Sequence, residues 1–117
     1  MSTLIDKLTN MGCDMKSTME RFMDDEEFYM DCLKQLLANN EFDNLKKKLD
    51  EHDIKGAFDS AHTLKGVCAN MGLKTLYDII VEIVEPLRAG TDANLVDKYD
   101  LLMLEKKKYD EISLSEG

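Results

Sequence analysis

The sequence predicts an all-α fold: an up-and-down antiparallel four-helix bundle with additional short helices at its N-terminus. Apolar residues recur at threes and fours along most of the chain, and no useful length alternates with the period of two that a strand requires. Proline occurs once in 117 residues, so little interrupts helices. The breaks between periodic stretches are short, which sets successive helices antiparallel. With 44% hydrophobic and 33% charged residues, the chain suits one compact domain that buries about two-thirds of its unfolded surface.

A first short helix is predicted over about residues 2 to 10, with Leu4, Ile5 and Leu8 turned inward and Gly12 ending it. A second runs from about Ser17 to Met23. Met11, Met15, Met19, Phe22 and Met23 fall at helical spacing there and read as core filler. Together these make an N-terminal helical segment over about 1–23, with the bundle over about 25–112. The next helix, about 25 to 38, places Phe28, Tyr29, Cys32, Leu33, Leu36 and Leu37 on one face, and Asn39 and Asn40 interrupt it. Phe42, Leu45 and Leu49 mark another as far as Glu51, with a turn at His52 and Asp53. The clearest pattern follows over about 53 to 71, where Ile54, Ala57, Phe58, Ala61, Leu64, Cys68 and Met71 form a stripe and Gly72 is the expected C-cap. Leu73, Leu76, Tyr77, Ile80, Ile83, Val84 and Leu87 continue to about Arg88, where Pro86 should kink or end the last turn. A final helix over about Ala93 to Ile112 carries Leu95, Tyr99, Leu102 and Met103, and residues 113–117 are expected to fray.

A net charge of −9 argues against nucleic acid, since phosphate backbones are bound by clustered Lys and Arg. The dense basic run Lys46-Lys47-Lys48 is followed by Asp50, Glu51 and Asp53 and reads as a solvated face. No apolar run reaches membrane-spanning length, and no signal peptide is evident, which makes the cytoplasm the expected compartment and membrane partners unexpected. Cys13, Cys32 and Cys68 are odd in number and scattered without a CxxC pair, so they read as reduced, near-core residues rather than as a disulfide or zinc framework. No phosphate-cradling loop of the GxGxxG or GxxxxGK[ST] kind occurs. No metal or cofactor is expected, and any phosphoryl group must be brought by a partner.

The stretch AHTLKGVCANMG, residues 61 to 72, sets a histidine inside a helix with a glycine four residues later. Glycine in an exposed helix interior costs about 1 kcal/mol relative to alanine. At 100° per residue His62 lies about 120° from the centre of the apolar stripe and points outward. Lys65 and Gly66 are its neighbours on that surface, with Asp59 and Ala69 bordering the patch. Side chains lean toward a helix N-terminus, so a large residue at 66 would lie over the imidazole, and glycine leaves the ring open. An exposed imidazole is an effective nucleophile near neutral pH, and Lys65 supplies a positive charge where a dianionic phosphoryl group would sit. His52, by contrast, has neither a lysine nor a glycine at comparable spacing.

AHTLKG, with Gly72 ten residues after His62 and LKTLY next, resembles the signature of histidine-containing phosphotransfer (HPt) domains, and the preceding ERFMDDEEFYMDCLKQL is similar to the helix before that family's active hairpin. The resemblance implies a four-helix bundle whose exposed histidine accepts a phosphoryl group from a receiver-domain aspartate and passes it to another receiver. His62 would then be the phosphoacceptor, Lys65 the phosphate neighbour, Gly66 the clearance residue with Ala69 and Asp59 at the docking patch, and Gly72 the former of the hairpin turn. The implied partners are receiver domains of response regulators and of hybrid sensor histidine kinases. The implied role is that of a monomeric phosphocarrier rather than an enzyme, with the divalent cation of the transfer held by the receiver. Cys68, where a small serine is common, and Pro86 depart from the pattern. A receiver-binding adaptor that carries no phosphate is the alternative, and loss of the histidine would mark it. The start at Met1 and the expected fraying at the end suggest a freestanding protein.

Overall fold

A computed structural model describes residues 3–116, which form seven helices: α1 (Thr3–Asn10), α2 (Met15–Arg21), α3 (Glu26–Leu37), α4 (Glu41–Asp50), α5 (Ile54–Met71), α6 (Lys74–Arg88) and α7 (Leu95–Glu116). There is no strand among the described residues. The architecture is the predicted one. α3 and α4 succeed one another along α5 and act as one interrupted arm: the Tyr29 hydroxyl donates to Met71 O at the far end of α5 (2.8 Å), while α4 enters the start of α5 through a three-residue turn. α5 packs chiefly on α4 and α6, and α7 lies mainly on α6 with lesser contacts to α3, α1 and α4. One continuous core runs through all seven helices, built around Leu8, Tyr29, Leu33, Leu45, Leu64 and Leu102.

Boundaries follow local chemistry. Asp14 caps α2 by accepting from Ser17 N (3.2 Å), so this helix starts two residues before Ser17. It ends at Arg21 because Met23 and Asp24 both take φ of 56°, a left-handed conformation that no helix continues through. That break resets the helical phase and corrects two expectations. Met23 is exposed rather than core filler, and Phe28 is 53% exposed at the rim, its ring 5.6 Å from that of Phe22. Asp25 and Asp53 cap α3 and α5 in the same manner, through Phe28 N and Gly56 N. Asn94, with φ of 64°, delays α7 to Leu95. α6 runs through Pro86 and stops two residues later, its end closed by Thr91 N donating to Pro86 O (3.0 Å).

The tail is a further correction. Residues 113 to 116 continue α7 instead of fraying, because Ser113 is buried and Lys7 of α1 donates to the Ser115 hydroxyl (2.9 Å). Gly117 lies outside the described residues. Cys13 and Cys68 are buried and Cys32 is half-buried, all three as free thiols. No helix is long and apolar enough among the described residues to cross a membrane.

Candidate functional site

The site is one outward face of α5. Asp53 opens this helix, and its inner stripe of Ala57, Ala61, Leu64 and Cys68 is fully buried against α4 and α6, which fixes the rotation of the helix. His62 therefore faces solvent, as do Asp59, Thr63, Gly66 and Ala69, and Lys65 is half-buried at the edge. The structure brings Asp59, His62, Lys65 and Gly66 together at helical neighbour spacing. Ala69 follows one turn on. Gly72 stands apart, roughly 15 Å along the axis from His62.

Gly66 has no packing partner: a Cβ built there meets nothing within 4 Å. The missing side chain is not needed for helix contact, so what it leaves is open space beside the imidazole. Gly72 is the opposite case. Its φ of 73° is left-handed, and a Cβ would run into the Thr18 side chain of α2. Leu73 N donates to Cys68 O (3.0 Å) and Gly72 N to Ala69 O (3.1 Å), which closes α5 and turns the chain into α6.

Two features were not read from the sequence. Phe58, assigned to the inner stripe, is half-buried, and its ring stacks on that of His62 with centroids 5.5 Å apart and planes at 26°. An aromatic one turn before the histidine at the border of the stripe was the available signal. On the same ring, the Arg88 guanidinium lies 5.2 Å from the centroid while it pairs with Glu85 at 3.2 Å. The second feature is Arg21, which donates from Nη2 and Nε to Asn70 O (3.0 and 3.3 Å) and from Nη2 to Ala69 O (3.3 Å). It thereby covers the carbonyl end of α5 with a cation, where the helix dipole is negative. No local pattern could have disclosed a contact across 49 residues.

Chemically, the face offers an imidazole whose ring is held by a stack on one side and that makes no hydrogen bond to the described residues. Among the described residues Lys65 forms no salt bridge, and its charge is available for an anion. His52 is committed elsewhere: Nδ1 lies 2.9 Å from Asp92 Oδ2, on a residue with φ of 56°. Beneath the site, burial pushes the Cys68 thiol up to about 12, so it stays neutral and inert. No group of three or more His, Cys, Asp or Glu among the described residues is arranged to hold a metal ion.

A comparison with protein-family models matches the Hpt domain over residues 19–105, most of the chain. The chain belongs to the Hpt domain family. Hpt domains serve histidine phosphotransfer in phosphorelays, and the all-helical bundle agrees with that membership. No curated protein and no solved structure matches the sequence. The Hpt match takes in the end of α2, all of α3 to α6 and the first half of α7. It leaves α1 and the second half of α7 outside.

Proposed function

We propose that this Hpt domain protein is a phosphocarrier in which His62 accepts a phosphoryl group from a receiver-domain aspartate and passes it to the aspartate of another receiver. The observation that carries the reading is the open ring of His62 beside a glycine with no packing role, in a chain of this family. A ring nitrogen attacks phosphorus in line, the bond from phosphorus to the aspartyl oxygen breaks, and the carboxylate leaves with its electron pair. The ring then gives up its N–H proton to solvent, which leaves a neutral phosphoimidazole. Transfer onward reverses these steps. Lys65 pairs with the phosphoryl oxygens, Phe58 restrains the ring against rotation, and the open space at Gly66 admits the receiver, with Asp59 and Ala69 at the edge of the docking patch. The divalent cation of the reaction belongs to the receiver's acidic pocket.

Incubation with phosphorylated receivers, followed by a search for stoichiometric acid-labile phosphate, tests this directly. Wild type and His52→Asn should take label, and His62→Gln should not while keeping its helicity and melting temperature, since the replaced ring is exposed. ATP alone should label none of them. An adaptor that only sequesters receivers would form a complex with the phosphorylated receiver and remain unlabelled. Label that persists in His62→Gln and disappears in His52→Asn would move the site.

A further inference from the structure

The outward face of α7 is unlike that of the other bundle helices. Leu102, Tyr99 and Tyr109 turn into the core, and directly opposite them Leu101 and Leu104 stand 50% and 64% exposed. Between residues 97 and 108 the exposed charges are divided: Asp97 and Asp100 precede the two leucines, and Lys107 and Lys108 follow, while Lys98, Glu105 and Lys106 are half-buried. Among the described residues Asp97, Asp100 and Lys107 form no salt bridge, and Lys108 reaches Glu105 of its own helix (3.0 Å). The helix dipole accounts for Asp97, which lies in the first turn, but not for the lysines. They sit mid-helix, and the last turn of α7 holds no basic residue.

We infer that this face is a self-complementary surface on which a second copy of the chain docks, α7 antiparallel to α7. Residues 97, 101, 104 and 108 follow the four-three-four spacing of a coiled-coil seam. An antiparallel pairing that seats Leu101 against Leu104 of the second copy also seats Leu104 against Leu101, because a two-fold interface repeats every contact. In that register Asp97 lies opposite Lys108 of the second copy, and Asp100 flanks its Lys107. One register thus joins both leucine pairs and gives all four charges an opposite partner. A parallel pairing would set like charges against each other along the whole seam. The seam spans about three turns and two apolar pairs, so the dimer is a weak one, with a dissociation constant on the order of 100 µM. The basic half lies beyond the stretch that the family model matches. α5 is not a main neighbour of α7, so association leaves His62 of both copies facing solvent.

Sedimentation velocity on the full chain, from about 10 µM to about 1 mM at low salt, reads the association. Wild type should shift from monomer to dimer across this range. The all-acidic variant Lys107→Glu/Lys108→Glu and the all-basic variant Asp97→Lys/Asp100→Lys should each weaken self-association by at least about tenfold, their helical spectra unchanged. Mixed in equal amounts, the two variants should dimerise with each other at least as well as wild type does with itself. Wild type that stays monomeric throughout, block variants that associate as wild type does, or a mixture that fails to associate would each overturn the inference. Phosphate acceptance should be the same in all three proteins, so the outcome does not depend on the assignment of His62.

Discussion

Replacing Gly66 separates a residue kept for access from one kept for packing. The substitutions are Gly66→Ala, Gly66→Gln and Gly66→Glu. A Cβ at this position meets nothing within 4 Å, so alanine incurs no steric penalty and recovers helix propensity of about 1 kcal/mol. At about 2.1 cal/mol/K of unfolding entropy per residue, that gain raises the melting temperature of a 117-residue chain by about 4 °C. Glutamine and glutamate, both good helix formers, should keep most of it. Transfer should move in the opposite direction, since a long side chain at 66 leans back over the His62 ring. For glutamate, a charge about 6 Å from a phosphoryl group carrying about −2 adds about 1.4 kcal/mol of repulsion in a water-like dielectric, a further tenfold. Transfer from a phosphorylated receiver should fall in the order Gly, Ala, Gln, Glu while the melting temperature rises or holds. A small phosphodonor such as phosphoramidate needs less room and should be slowed less. Calorimetry and label transfer across the four proteins decide it. Parallel loss of stability and transfer would refute the argument, as would a glutamate variant that accepts phosphate from a receiver as fast as wild type.

Three other perturbations test different parts of the structure. Lys65→Ala should slow transfer or shorten the phosphohistidine lifetime by about tenfold, the equivalent of one charged hydrogen bond of about 1.4 kcal/mol, with little effect on the unmodified protein; lifetimes measured by loss of label would reveal a bystander. Gly72→Ala should lower stability by more than about 1 kcal/mol, through left-handed strain and the collision with Thr18, which thermal or urea unfolding would show as the reverse of Gly66→Ala. Cys68, its thiol pushed up to about 12 by burial, should resist alkylation at pH 8 while half-buried Cys32 reacts first; thiolate forms only as pH rises toward the raised value, and mass spectrometry of the native protein reads the order.

The orientation of His62 was legible because it follows from rotation within a single helix whose buried stripe is unambiguous. The same arithmetic failed at Met23 and Phe28, where two consecutive residues with positive φ break the phase between α2 and α3. The helical state of residues 113–116 was hidden for another reason: polar, serine-bearing sequence there is held by a hydrogen bond to α1, 108 positions away. Phe58 shows an intermediate case. Its place on the border of the stripe was readable, but whether it would face the core or the imidazole was decided by how α5 and α6 pack.

Tyr109 bears on how the molecule can be shortened. Its hydroxyl sits 2.6 Å from Thr75 Oγ1 and 3.5 Å from Cys13 Sγ, so one fully buried phenol ties α6 and α7 to the loop before α2. Two of those three residues fall outside positions 19–105. A fragment trimmed to the family boundaries would leave Thr75 facing the space of a missing aromatic side chain, with the inner flank of α6 opened to water. The smallest autonomous piece of this protein is therefore set by that tyrosine and reaches past residue 109 and back to Cys13, well beyond the family-matched half of its last helix.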